Sequence, residues 1–182
     1  TDPYLKLPEA HYVRGIAAAV AQDLAAGVAE ANAALALRPD WEEAALLRWR
    51  ASPAERRADA AEELRAFGAA HPKAADARLN YIRWLTAEKR HDDAQKAANA
   101  LLADVPDNSD LRYAIAIIRV ETGDLAGAEL LMRELLDRGF PEADLLRLLL
   151  GQIVEEQARL PEALALYTEV PVGRHFAAAT DR

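Results

Sequence analysis

Residues 121–129, "ETGDLAGAE", combine two glycines, an aspartate and an apolar run, a composition that also occurs in phosphate-binding and metal-binding loops. A phosphate cradle needs a series of backbone N–H donors and usually a lysine, and this stretch has no lysine. A calcium loop needs several regularly spaced oxygen ligands, which are missing as well. We therefore expect a bend between two helices, in which Gly123 adopts a positive φ and Asp124 caps the second helix.

Histidine and carboxylate side chains come together in residues 91–93, "HDD". Adjacent residues on a helix point in different directions, so these groups do not converge on one ion. We expect His91 or Asp92 to cap a helix, and we predict no metal site and no cofactor.

Residues 104–110, "DVPDNSD", resemble a calcium loop only in composition. The ligand order of such a loop is absent, and the stretch predicts a turn in which Asn108, Ser109 or Asp110 caps the next helix. The sequence also lacks a nucleophile elbow, a zinc-protease motif and a P-loop lysine. We therefore predict no enzymatic activity.

Composition excludes several classes of protein. The chain has 182 residues, of which 52% are hydrophobic and 29% charged, as expected of a folded domain. Its net charge of −8 and the lack of a basic stripe argue against nucleic acid as a partner. Without cysteine there are no disulfides or thiolate metal sites, and no apolar run reaches the ~18 residues of a membrane span. Because the sequence opens at Thr1 without an initiator Met, we expect a fragment of a longer protein.

Two residue types repeat with one period. Prolines that end apolar stretches are spaced by 33 and 34 residues, at Pro39, Pro72 and Pro106. Alanines inside the amphipathic stretches are spaced by 34, 34 and 35 residues, at Ala60, Ala94, Ala128 and Ala163. Each period contains two amphipathic helical segments with a short bend between them, which predicts antiparallel helix hairpins and an all-α fold.

This period resembles that of the tetratricopeptide repeat (TPR) family, whose unit is 34 residues. Ala94, Ala98, Leu101 and Pro106 fill the second-helix slots of the family pattern in one unit. The first-helix glycine of the pattern stands at Gly15 and Gly151 in two others, while the remaining units place Trp49, Ile82 and Ala116 there. The resemblance implies a right-handed superhelical α-solenoid of about five repeats.

The resemblance divides the chain into a tail, an array and the start of a further helix. Residues 1–8 form an N-terminal tail or a cap in which Tyr4, Leu5 and Leu7 lie across the first hairpin. The array covers 9–170, with repeats at about 9–40, 41–74, 75–108, 109–142 and 143–170. In the second repeat "RWRASPAERR" shortens the first helix and puts Pro53 at a helix start. Residues 171–182 begin another repeat helix.

TPR proteins use the concave face for partners, and the resemblance implies that particular positions of each first helix line it. In this sequence those positions hold an apolar stripe with two arginines: Tyr12, Ile16, Leu46, Arg50, Leu79, Asn80, Arg83, Tyr113, Ile117, Leu148 and Gln152. A stripe at helical spacing also fits an ordinary core, and both interpretations stay open.

The carboxylate clamp of some TPR modules is incomplete here. Asn80 and Arg83 fit it, whereas the matching positions of the next unit are Ala114 and Ile117. Arg50 and Arg83 remain suitable bidentate donors to a carboxylate. Alternatively, both are solvated or pair with nearby glutamates, Glu43 or Glu88.

We therefore predict a non-catalytic scaffold that binds a peptide or helix of a partner protein in the groove. The alternative is a self-association or docking domain of a longer envelope assembly factor or enzyme, with a homo-oligomer possible. Tyr167, Val170, Gly173 and Phe176, in "YTEVPVGRHFAAATDR", resemble bacterial TPR proteins of the cell envelope. This resemblance favours a periplasmic or outer-membrane-anchored location over the cytoplasm.

Overall fold

The computed structural model describes residues 7–170, and in this range the chain is all-α, as predicted. Ten helices follow one another without a strand in that part of the chain. A 3-10 turn at Ala54–Arg56 precedes the fourth helix. The helices are α1 Pro8–Val20, α2 Leu24–Leu37, α3 Glu42–Ala51, α4 Arg57–Ala70, α5 Ala75–Ala87, α6 His91–Asp104, α7 Ser109–Glu121, α8 Leu125–Asp137, α9 Ala143–Glu156 and α10 Leu160–Thr168.

Four of the five helix pairs are joined by the same left-handed bend. The residue before the N-cap of the second helix has a positive φ in each, at Gln22 (63°), Lys89 (58°), Gly123 (78°) and Ala158 (60°). The positive φ predicted for Gly123 is therefore confirmed. The remaining pair, α3 and α4, is joined through Ser52 and the 3-10 turn, whose N-cap is Pro53.

Side chains cap several helices at the predicted places. The Asn108 carboxamide oxygen accepts a hydrogen bond from the Leu111 N–H at 2.9 Å, and Asp124 accepts one from the Gly127 N–H at 2.9 Å. These bonds satisfy backbone donors that the first turn of a helix leaves without an intrahelical partner. The caps proposed at Asn108 and Asp124 are therefore confirmed.

The predicted cap of α6 is wrong. His91 is the first residue of the helix, and its N-cap, Arg90, makes no side-chain capping bond. Asp92 lies in the first turn, where a carboxylate favours the positive end of the helix dipole without capping it. Arg90 instead pairs with Asp93, with Nη2 and Oδ2 2.8 Å apart.

Small residues allow close approach between helices. A Cβ added to Gly15 would lie 2.8 Å from the Leu47 Cδ2 atom, and one added to Gly151 would overlap the Tyr167 ring. The periodic alanines are buried as well, with at most 5% exposure at Ala60, Ala94, Ala128 and Ala163. Stacked hairpins need such positions because a single hairpin buries little apolar surface alone.

The chain divides into two compact units, Thr1–Val105 and Pro106–Arg182. The first unit holds α1–α6, and α3, α4 and α5 share a buried cluster there that includes Leu46, Leu64 and Phe67. The second unit holds α7–α10. Its fully buried side chains include Ile115, Met132, Leu135, Leu146, Leu150 and Val154.

Parts of the predicted tail and of the further repeat lie outside the described residues. Tyr4 and Leu5 are among them, as is the whole of 171–182. Leu7 is described; it is the N-cap of α1, and 47% of it is exposed.

Candidate functional site

The predicted groove residues of the first unit lie on α1, α3 and α5 and differ in accessibility. Leu46 and Leu79 are buried, with 5% and 7% exposure, so their side chains pack inside the unit. Tyr12 and Asn80 are partly buried, and the Asn80 amide donates a hydrogen bond to the Asp76 carbonyl at 2.8 Å. Ile16, Arg50 and Arg83 are the exposed members of the set in this unit.

Aromatic and charged contacts hold Tyr12 in place. Its ring centroid lies 4.7 Å from that of Trp41, at an interplanar angle of 41°. The guanidinium of Arg38 lies 4.4 Å from the Trp41 ring centroid and pairs with Glu9. Tyr12 therefore belongs to a packed cluster that joins α1 to the start of α3. Its contact with Trp41 restricts the orientation of the Tyr12 ring.

Arg50 and Arg83 are the unpaired arginines of the described chain. Neither forms an ion pair with Glu43 or Glu88, and neither has another polar or ring partner within residues 7–170. Every other arginine in that range has a hydrogen bond, an ion pair or a ring contact. The two are 33 residues apart, close to one repeat, so they occupy equivalent positions on α3 and α5.

In the second unit the predicted residues lie on α7 and α9. Tyr113 stacks on Phe140, with ring centroids 5.4 Å apart and an interplanar angle of 24°. Burial raises the pKa of the Tyr113 hydroxyl, and the nearby Glu142 carboxylate acts in the same direction. Leu148 is buried at 6% exposure, whereas Ile117 and Gln152 are partly accessible.

A contact between α3 and α5 was not predicted from the sequence. Glu42, at the start of α3, accepts a hydrogen bond from the Ala77 N–H of α5 at 2.7 Å and thereby supplies a cap that α5 lacks locally. Burial raises the pKa of this carboxyl group, although the bond from Ala77 opposes the shift. This contact links equivalent helices of successive hairpins in the first unit.

The second unit contains an ion network between α8 and α10. The Glu129 carboxylate forms ion pairs with Arg133 and Arg159, each at 2.8 Å. Glu162 forms ion pairs with the same two arginines. Burial raises the pKa of Glu129, but the hydrogen bonds from Arg159 and Arg133 outweigh it and leave the pKa lowered. The hydrogen bond from Arg133 likewise lowers the pKa of Glu162.

Within residues 7–170 no three histidine or acidic side chains are arranged to hold a metal ion. His11 instead contacts the Glu30 carboxylate at 2.5 Å. None of the helices in the same range is long and apolar enough to cross a membrane.

Comparison with known proteins identifies the repeat. Residues 85–142 match the family model described as tetratricopeptide repeat. This segment, from the end of α5 through α8, therefore has the sequence of a tetratricopeptide repeat. A comparison with curated protein sequences finds no match.

Solved structures similar to this chain include PilF, PilW and MamA. The structure from a functional characterization of Pseudomonas aeruginosa PilF is 18% identical, with a TM-score of 0.64, over 88% of this chain and 73% of that one. PilW, described as a widely conserved type IV pilus biogenesis factor, is 18% identical, with a TM-score of 0.65, over 98% and 84%. MamA is 15% identical, with a TM-score of 0.69, over 90% and 89%. At these identities the likeness concerns the fold, which is that of TPR-type helical solenoids.

Proposed function

We propose that this chain is a non-catalytic scaffold that binds a peptide or a helical segment of a partner protein through its first helices. The TPR fold is a protein-interaction fold, and a scaffold role follows from it in general terms. The observation that carries the specific proposal is the pair of unpaired arginines at equivalent positions of α3 and α5. A guanidinium with no intramolecular partner is available to bind a carboxylate of another chain.

Each unit contributes its own set of residues to this proposal. In the first unit Ile16, Arg50 and Arg83 are accessible to a partner, and Tyr12 and Asn80 border them. In the second unit the corresponding side chains are Tyr113, Ile117 and Gln152. The buried leucines, Leu46, Leu79 and Leu148, support these surfaces from below by fixing the helices that carry them.

Peptide selection followed by charge reversal tests the proposal. Ligands are selected from a random peptide library displayed on phage, and the tightest is measured against the unaltered chain by fluorescence anisotropy. Arg50→Glu with Arg83→Glu should weaken its binding by about tenfold or more, because two attractive contacts become repulsive. Tyr113→Ala should lower the affinity for ligands that bind to the second unit.

Arg65→Glu is the matched control for charge. Arg65 is also exposed, but it lies on α4 and already pairs with Glu62 at 2.7 Å. Its reversal should leave affinity unchanged, and circular dichroism should show the same helix content in all variants. If the selected peptides bind the double variant as tightly as the unaltered chain, the proposal is wrong.

Self-association is a second candidate, supported by exposed leucines of the second unit. Leu130 on α8 and Leu160 and Leu164 on α10 are 58%, 62% and 63% exposed. Exposed apolar surface often marks an interface between chains. Light scattering tests this: a dimer that dissociates on Leu160→Ser with Leu164→Ser supports self-association, whereas a monomer at high concentration contradicts it.

The cell envelope is the proposed location. Its support is the likeness of fold to PilF and to PilW, of which the second is described as a type IV pilus biogenesis factor. Fractionation of cells that express the full open reading frame, followed by immunoblotting, tests this proposal. Recovery of the protein in the cytoplasmic fraction alone would contradict it.

A further inference from the structure

An exposed apolar stripe runs along α1. Val13, Ile16 and Val20 are 63%, 40% and 78% exposed, and their spacing of three and four residues puts them along one side of the helix. The other side of α1 carries Gly15, which is buried where Leu47 approaches it. Single exposed aliphatic residues are ordinary on protein surfaces, but a continuous stripe of them indicates a contact surface.

The α1 stripe joins a row of equivalent positions. Ile16 precedes Arg50 by 34 residues, and Arg50 precedes Arg83 by 33, so the three stand at the same place on α1, α3 and α5. Within the first unit, α3 packs against both α1 and α5. The row therefore begins with an aliphatic side chain on α1 and continues with two unpaired guanidinium groups.

We infer that the first unit binds a partner-protein segment with aliphatic side chains at one end and acidic side chains at the other. This inference rests on the proposed scaffold function and specifies the chemistry of its ligand. The aliphatic side chains of the partner pack on the α1 stripe, which removes both apolar surfaces from water. Arg50 and Arg83 bind carboxylates of the acidic end. Because the whole chain carries a net charge of −8, attraction for an acidic segment must come from these local arginines.

An anionic membrane surface is disfavoured by the same charges. Binding to anionic lipid is supported by clusters of several basic residues, whereas the row has two arginines on separate helices of an acidic chain. A second copy of this chain is the other possible occupant of the α1 stripe. The experiment distinguishes both from a partner segment.

Three short synthetic peptides of equal length test the inference. The first has leucines and valines in one half and glutamates in the other; the second replaces the glutamates by lysines; the third replaces the aliphatic residues by serines. Each is labelled and titrated with the unaltered chain at low salt by fluorescence anisotropy. The first should bind about tenfold or more tightly than either of the others.

Paired variants assign each half of the peptide to its surface. Val13→Ser with Val20→Ser should abolish the preference for the first peptide over the serine peptide and keep the preference over the lysine peptide. Arg50→Glu with Arg83→Glu should do the reverse. Leu37→Ser, at a 48% exposed leucine on α2, and Arg65→Glu are controls that should keep both preferences.

Several outcomes overturn the inference. Equal binding of the three peptides does so, and so does an unchanged preference in the valine variant. A dimer that the valine variant converts to a monomer identifies a second copy as the occupant, and phosphatidylglycerol vesicles that bind the unaltered chain but not the variants identify a membrane. Library peptides that require Arg83 but lack an aliphatic and an acidic half overturn this inference while leaving the scaffold proposal intact.

Discussion

The two units use their arginines differently. In the second unit, Arg112, Arg133, Arg147 and Arg159 all pair with carboxylates of that unit. In the first unit, Arg50 and Arg83 are exposed and have no partner among the described residues. The paired arginines are therefore expected to stabilise the fold, whereas Arg50 and Arg83 remain available for a ligand. Mutation of each kind of arginine can test this difference.

The largest loss of stability should follow Arg112→Ala. Arg112 is only 9% exposed, and it donates to the Pro106 carbonyl at 2.9 Å and to Glu134 at 2.6 Å. Its removal should lower the free energy of unfolding by about 2 kcal/mol, because packing and a buried hydrogen bond are both lost. Urea denaturation followed by circular dichroism measures this. A loss no larger than that of Arg83→Ala would contradict this difference.

A smaller loss should follow Asp124→Ala. This change removes the α8 cap, and such caps contribute about 1 kcal/mol. The matched change in the first unit is Arg90→Ala, at a helix start that has no side-chain cap. Thermal unfolding should show a lower midpoint for the first variant than for the second, and equal midpoints would contradict the role given to Asp124.

The ion network of α8 and α10 should make stability depend on pH. The pKa values of Glu129 and Glu162 are lowered in the folded chain, so the network stabilises it above the unfolded value of about 4.3. That contribution is lost as the pH falls through the lower folded values. Glu129→Gln should therefore lower the midpoint of thermal unfolding at pH 7 and make its decline below pH ~4 shallower. An unchanged decline would exclude Glu129 as a source of the dependence.

The smallest effect on stability should come from Arg50→Ala and Arg83→Ala. Exposed side chains without partners usually change the free energy of unfolding by less than about 0.5 kcal/mol. Urea denaturation of both single variants checks this, with Arg112→Ala as the sensitive reference. A loss above about 1 kcal/mol would show that these arginines stabilise the fold after all.

Local chemistry explains what could be predicted from the sequence. Asn108 and Asp124 were identified as caps because their side-chain oxygens reach a backbone N–H three residues later, a contact that a short stretch determines. The α6 prediction failed because a carboxylate in the first turn need not be the N-cap; Asp93 is engaged by Arg90 instead. The bond between Glu42 and Ala77 spans 35 residues and depends on how hairpins stack, which no local pattern specifies.

Accessibility was the least predictable property of the site. The predicted groove set contains Ile16, Leu46 and Leu79 alike, but the sequence does not determine how much of each side chain the neighbouring helices cover. Leu46 and Leu79 lie on helices with neighbours on both sides, and they are buried, whereas the α1 stripe is left exposed. The predicted groove set did not include Val13 and Val20, because it was limited to the first-helix positions that line the groove in the family pattern.

The left-handed bends are sites at which the thermal stability of the chain can be engineered. Gln22, Lys89 and Ala158 hold a φ that costs a residue with a Cβ about 1 kcal/mol, while Gly123 adopts the same bend without that cost. Replacing the three residues by glycine releases that strain but adds freedom to the unfolded chain, which offsets part of the gain. The hairpin connections are therefore places where the melting temperature can be adjusted without altering any surface proposed to meet a partner.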